Sequence, residues 1–196
     1  MPKIRLTKGE LKRQRDDLKR FMRFLPTLEL KKRQLIQEVN LVNKQISSLK
    51  KESENHLEEI SKWIDVFADE VDLENYFKTK EIQLEEGNVS GVNIPVLKNV
   101  LFEETDYDFI TTAVWIDAGI ESCKKQVLFN AKIKVYKQQI DILKEELRIT
   151  IQRIKLFEEV KIPKARESIR IIQIFLADQQ TAEVVRGKIA KAKLKN

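Results

Sequence analysis

The chain holds one cysteine, one histidine, five glycines and four prolines in 196 residues. With Cys123 alone no internal disulfide can form, and a reduced, intracellular setting is expected. A lone His56 and a lone cysteine cannot assemble a zinc cluster, and they exclude most nucleophile–base triads. The glycines, at 9, 87, 91, 119 and 187, spell neither G-x-G-x-x-G nor a P-loop. Gly187-Lys188 lacks both the upstream glycine and the following Ser or Thr. Acid pairs such as Glu58-Glu59 and Glu145-Glu146 are neighbours on helical stretches and point apart, so they make no dyad. No catalytic residue, cofactor or metal site is expected. Apolar runs fall well short of the eighteen or so residues of a membrane span. The basic N-terminus has no apolar stretch behind it to make a signal peptide. A soluble, cytosolic protein is expected, free to sit on a membrane complex. Scarce glycine and proline also leave few turns, which favours long helices.

What is present is a heptad stripe. With Leu11 at position a, the a column reads Leu11, Leu18, Leu25, Lys32, Val39, Ile46, Ser53, Ile60, Phe67. The d column reads Gln14, Phe21, Leu28, Leu35, Val42, Leu49, His56, Trp63. Most of these positions are apolar in a chain only 42% hydrophobic, which predicts a coiled-coil helix. Unbroken, it would span roughly 85 Å, too long for a compact domain, so the stripe needs a partner. From Gln126 onward the same count gives Ile133, Ile140, Leu147 and Ile154 at a, and Phe129, Tyr136, Leu143, Thr150 and Phe157 at d. Near Pro163 the frame slips by one, and the stripe resumes as Ile169, Ile172 and Leu176.

The fold expected is mainly α: a long antiparallel two-helix coiled coil, kinked at Pro26 and Pro163, with a small middle region containing a β-hairpin. The expected seam is Leu18, Phe21, Leu25, Leu28, Leu35, Val39, Val42, Ile46 and Leu49 against Ile133, Tyr136, Ile140, Leu143, Leu147, Ile154 and Phe157. The expected organisation is an N-terminal arm over 1–75, a middle region over 76–117, a C-terminal arm over 118–184 and a basic tail over 185–196. If the arms fold back between about Asn75 and Ala118, facing residues have numbers totalling roughly 193. That would bring Pro26 and Pro163 to one height.

In chain order, Thr7 is an expected N-cap, with Glu10 completing a capping box. His56 reads as a packing or register residue in the seam, there being no second histidine to share a metal. The middle changes period: Glu81–Glu85 and Val92–Val96 alternate polar and apolar around Gly87-Asn88-Val89-Ser90-Gly91. The hairpin is expected over about 80–97, with Pro95 on an edge. Ile82, Leu84, Val92, Ile94 and Val96 would pack on the coil or face a partner. A loop is expected over 98–111, a helix from about Thr112, and a fade near Gln180–Ala182.

Charge is uneven. Residues 1–36 carry twelve Lys or Arg and four acids; residues 52–108 carry four bases and sixteen acids; residues 185–196 carry five bases and no acid. In an antiparallel hairpin the basic ends share one tip, with Arg5, Lys8, Lys188, Lys191 and Lys193.

Several segments, taken in order, are similar to the D subunit of the V-type rotary ATPases. Leu28-Glu29-Leu30-Lys31-Lys32-Arg33 resembles that family's Leu-Leu-Lys-x-Lys-Arg motif. Asn88-Val89-Ser90-Gly91-Val92-Asn93-Ile94-Pro95 resembles its Asn-Ile-x-Gly-Val-x-x-Pro hairpin. Ile154 to Pro163 resembles its Val-Asn-x-x-Glu-x-x-x-Ile-Pro segment, with Ile154-Lys155 standing where Val-Asn is usual. The resemblance implies a non-catalytic central axle that passes torque between nucleotide turnover in a hexamer of A and B subunits and ion transport through a membrane ring. It implies the small F subunit and the cap on the ring as further partners, and a cytoplasmic position peripheral to the membrane. It also implies that the basic tip enters the hexamer while the hairpin stays outside. Two other readings suit the residues: a prefoldin-like coiled-coil chaperone subunit, and a basic coiled coil that binds nucleic acid. The Lys-rich tips count against the first. Basic residues not interleaved with exposed aromatics count against the second.

Overall fold

The computed structural model describes residues 5–62, 76–104 and 115–193. They form helix α1 (Lys8–Ser61), strands β1 (Phe77–Val89) and β2 (Val92–Glu104), helix α2 (Ile116–Lys155), a π-helical segment (Leu156–Lys161) and helix α3 (Ile162–Lys193). The architecture is therefore two long helical stretches with one antiparallel hairpin between them in sequence. The chain divides into two compact units, Met1–Lys32 with Arg148–Asn196, and Arg33–Leu147.

In the first unit, α1 starts on a side-chain cap. The backbone N–H of Glu10 donates to Thr7 Oγ1 at 3.2 Å, and that of Leu11 to the Thr7 carbonyl at 2.9 Å. The side-chain bond satisfies one of the donors that a helix start leaves unpaired, and the Leu11 bond is the first of the regular helical ladder. The Glu10 carboxylate accepts from Gln14 Nε2 at 2.8 Å, towards the helix body. Leu18, Phe21, Leu25 and Leu28 are all partly buried, so the heptad phase crosses Pro26 unchanged inside a continuous helix. Phe21 meets Phe157 with ring centroids 5.4 Å apart.

The frame slip at Pro163 has a physical cause. The N–H of Ile162 reaches the carbonyl of Phe157, five residues back, and the π segment lies just before the proline. A wide turn absorbs one extra residue and moves the carbonyl four residues before the proline away from its ring. Burial follows the shifted phase: Ile154, Phe157, then Ile162, Ala165, Ser168 and Ile172.

In the second unit, Leu35, Val39, Val42 and Ile46 of α1 form one core with Ile140 and Leu143 of α2 and Ile94 of β2. Tyr136, Leu147, Val89 and Val92 pack around it. Leu35 and Leu143 are 0% exposed. The polar seam positions pair with each other: Gln126 Nε2 donates to Ser53 Oγ at 2.9 Å, and His56 Nε2 donates to the Ser122 carbonyl at 3.1 Å.

The hairpin turns on two residues, Ser90 and Gly91, with φ of 52° and 76° and Val89 paired with Val92. Left-handed φ at both central positions is the type I′ geometry that matches strand twist. Asn88 fixes it: its Oδ1 accepts the Gly91 N–H at 3.2 Å, and its Nδ2 donates to Asn93 Oδ1 at 2.8 Å. The alternating face around Gly87–Gly91 thus belongs largely to strand rather than to a five-residue loop. β2 also continues through 98–104, where a loop was expected, because Asn99, Val100, Leu101 and Phe102 still find partners on β1.

Of three further expectations, one lies partly outside the described residues and two are corrected. Described α1 ends at Ser61, with Lys62 in a turn; the rest of the expected arm, with Trp63 and Phe67, lies outside the described residues, as does Thr112–Val114. α3 does not fade at Gln180–Ala182 but runs to Lys193, straight through Gly187. A single glycine costs only about 1 kcal/mol in a helix, and the flanking Ala and Lys are good helix formers. The register is the third. Within the first unit Phe21 faces Phe157, and within the second Ser53 faces Gln126 and His56 faces Ser122, so facing numbers total 178 or 179. The expected 193 took the fold-back from Asn75 to Ala118, whereas the helix ends that correspond are Ser61 and Ile116. Pro26 and Pro163 lie on opposite sides of the Phe21–Phe157 contact, separated by roughly 16 Å along the helices, and are not level.

Candidate interaction surfaces

The expected seam residues sit as follows. Leu35, Val39, Val42, Ile46, Ile140, Leu143 and Ile154 are buried. Leu18, Phe21, Leu25, Leu28, Leu49, Ile133, Tyr136, Leu147 and Phe157 are partly buried. One layer is less comfortable: Thr150 is fully buried with no hydrogen-bond partner for its hydroxyl.

His56 is structural. Its Nε2 must carry the proton to donate to the Ser122 carbonyl, its ring meets Phe129 edge-on at 6.0 Å, and Nδ1 is buried without a partner. No group of His, Cys, Asp and Glu among the described residues could hold a metal ion. Burial pushes the Cys123 thiol above its ordinary value, away from the reactive thiolate.

The five expected tip cations, Arg5, Lys8, Lys188, Lys191 and Lys193, are all exposed and belong to the first unit. Of these five, only Arg5 lines a groove of about 570 Å³, whose walls include Arg13, Asp17, Phe21, Lys161 and Lys164. It opens where the small seam residues Ala165 and Ser168 leave room opposite α1. Farther along α3, Arg170 Nε and Nη2 donate to the Glu167 carboxylate at 2.9 and 2.7 Å and hold it below the usual carboxylate range. Half-exposed Val184, Val185 and Ile189 accompany the lysines of this helix end.

The hairpin residues separate by face, because direct cross-strand partners point the same way. Val92 and Ile94, opposite Val89 and Gly87, turn to the core, and Ile94 is only 6% exposed. Val96 shares that face one step farther out and is exposed. Leu84, opposite Leu97, lies on the other face with Ile82; they are 48% and 40% exposed, whereas Val100, directly opposite Ile82, is buried. Gly87 is required by this packing, since a Cβ there would lie 2.7 Å from Val96 Cγ2.

Sequence reasoning missed the fastening of the hairpin. Gln139, buried on α2, donates through Nε2 to the Pro95 carbonyl at 2.5 Å. Val135 and Ala131, one and two turns before it, are buried as well. A partial signal was available: Leu128 and Val135, seven residues apart beside the seam, are partly buried and buried, although Ile142, next in that column, is exposed. Among the described residues no helix is long and apolar enough to cross a membrane.

A family model described as that of the ATP synthase D subunit matches residues 10–192. The V-type ATP synthase D subunit of Borreliella burgdorferi is 43% identical over 194 residues, covering 99% of this chain and 96% of that protein. That of Chlamydia abortus is 31% identical over 194 residues, covering 97% and 93%. Matched almost end to end by the family and by these relatives, the chain belongs to the ATP synthase D-subunit family.

Proposed function

We propose that the chain is the central axle of a V-type rotary ATPase or ATP synthase, carrying torque between a catalytic hexamer of A and B subunits and a membrane ring. The observation that carries this reading is the packed seam between the helices, most complete in the second unit. Large apolar side chains from opposed helices interlock there, and a polar layer at Ser53 and His56 fixes their register. Interlocked helices resist sliding and untwisting, because any relative movement breaks apolar contacts and leaves buried polar groups unpaired. In this reading the chain does no chemistry itself and acts on the cytoplasmic side, peripheral to the membrane. The basic tip with Arg5, Lys8, Lys188, Lys191 and Lys193 enters the hexamer. The hairpin stays outside, facing the small F subunit and the cap on the ring.

The test is site-specific photo-cross-linking in the assembled complex. A cross-linker at Lys8 or Lys191 is expected to capture A or B subunits, and one at Asn88 to capture the F subunit or the cap. The reverse pattern would overturn the orientation. A hexamer of related chains, or nucleic acid captured at the termini, would replace the axle with the chaperone or the nucleic-acid reading.

A further inference from the structure

The hairpin has two long edges, and the structure treats them differently. On the β2 edge, Pro95 offers no N–H and its carbonyl is taken by buried Gln139. That bond also fixes the phase of the ladder. A strand carbonyl that reaches a helix points away from the partner strand, so Glu86 and Pro95 form a widely spaced pair. The N–H and C=O of Glu86 therefore point outward from β1, and alternation turns those of Ile82, Leu84 and Asn88 the same way. All four residues are exposed. Among the described residues the sheet has no third strand, and no hydrogen bond reaches that row of backbone groups.

Strand edges are commonly blunted by Lys, Pro or a bulge. β1 is blunted in this way only at its base, where Lys78 and Lys80 stand and Lys80 is the extra residue between Thr79 and Glu81. From Glu81 to Val89 it has no Lys, no Pro and no extra residue of its own. Alternating N–H and C=O groups at the strand repeat are matched by another extended backbone, not by a lipid surface or a nucleic acid. A second copy of this chain fits badly. The antiparallel register that engages all four residues pairs Ile82 with Asn88 and Leu84 with Glu86, and it sets Glu85 opposite its own copy.

We propose that an extended segment of another subunit adds to the outer edge of β1 as a third strand, bonded to the backbone of Ile82, Leu84, Glu86 and Asn88. This rests on the axle reading, which brings the hairpin to other subunits, and adds how one of them is held.

The experiment compares residue-resolved amide exchange in the isolated full chain and in the assembled complex. The amides of Ile82, Leu84, Glu86 and Asn88 should slow by at least about tenfold on assembly, whereas those of Glu85 and Gly87, already bonded to β2, should be slow in both. A second arm places a photo-cross-linker at Asn88 in the complex. Glu86→Pro removes one outward N–H and leaves the bonds to β2 in place, so capture of another subunit's peptide should fall about tenfold. Glu86→Gln keeps the backbone and should leave capture unchanged. Exchange at Ile94 and Val96 checks that the proline variant keeps its hairpin; if they are disturbed, the native exchange pattern decides alone. Outward amides no slower in the complex, capture lowered equally by Glu86→Gln, or a second copy of this chain as the captured protein would overturn the proposal. A cross-linker at Lys191 runs in parallel. Capture of A or B subunits there without protection on β1 sinks the added strand and leaves the axle; the converse sinks the axle and leaves the added strand.

Discussion

Ile154 offers the most demanding test of the seam. It is 7% exposed, a heptad from Leu147 and three residues before the ring that meets Phe21. Replacing it by aspartate removes an apolar side chain whose burial contributes roughly 1.5–3 kcal/mol. It also places a carboxylate where no described cation is shown to reach it, and in total about 3–5 kcal/mol should be lost at pH 7. The pH dependence separates the two parts. Burial disfavours the charged form, so the folded-state pKa of the new carboxyl rises above its unfolded value of about 3.9. Below the unfolded value both states hold the proton and the charge penalty is absent. As pH rises towards the raised folded value, the unfolded chain releases its proton first, and stability falls by about 1.4 kcal/mol per pH unit. Ile154→Ala supplies the comparison, because it removes packing without adding charge. Urea unfolding of both variants at pH 4.5 and pH 7 is the assay, and the Asp-minus-Ala difference should widen at the higher pH. A midpoint unmoved by the aspartate, or a difference that ignores pH, would refute the placement of Ile154 between the helices.

Thr150→Val keeps the shape and removes a buried hydroxyl that lacks a partner, so it should stabilise the chain by about 1 kcal/mol in the same urea assay. Gly87→Ala should cost roughly 1–3 kcal/mol, because its methyl meets Val96 Cγ2 on a face already packed; the amide shifts of Ile94 and Val96 should move with it. Arg170→Gln should raise the Glu167 carboxyl back towards the ordinary range in an NMR titration. In the native chain the small stabilisation from that pair is present above the unfolded carboxyl value and is lost as pH falls.

Helix identity and phase were legible because a heptad acts locally. Leu18 to Leu49 at a and d positions become buried or partly buried in turn, and the one-residue slip at Pro163 appears as a π turn just before it. The hairpin was legible from its alternation, but its length was not. Asn99, Val100, Leu101 and Phe102 mix polar and apolar residues without a clean period, and only their pairing with β1 makes them strand. The tail past Gln180 was misread for the opposite reason. A glycine among lysines looks like an end, yet the helix-forming residues on both sides outweigh it. The exposure of Ile82 and Leu84 and the burial of Ile94 and Val100 could not be told apart, since both strands alternate and nothing local says which residues meet the core.

The register between arms failed for a deeper reason, which the polar seam positions expose. A heptad stripe looks the same after a shift of seven, so apolar matching alone accepts several registers. Polar positions break that degeneracy, because a buried hydroxyl or imidazole set against an apolar partner is left unpaired. Facing numbers near 193 would put Ser53 opposite Ile140 and His56 opposite Lys137. Numbers near 178 put Ser53 opposite Gln126 and His56 opposite Ser122, and the hydrogen bonds form there at 2.9 and 3.1 Å. Matching Ser53 to the polar Gln126 rather than to Ile140 favours the observed register from the sequence, whereas His56, bonded to a backbone carbonyl, does not discriminate. It follows that Gln126→Leu should loosen the choice more than it lowers stability. With its partner apolar, Ser53 has no reason to prefer this register, and disulfide trapping across the second unit should show neighbouring registers that the native chain does not. Trapping confined to the native register in that variant would mean that the hairpin, seated through Ile94 and Gln139, sets the register without help from the polar layer.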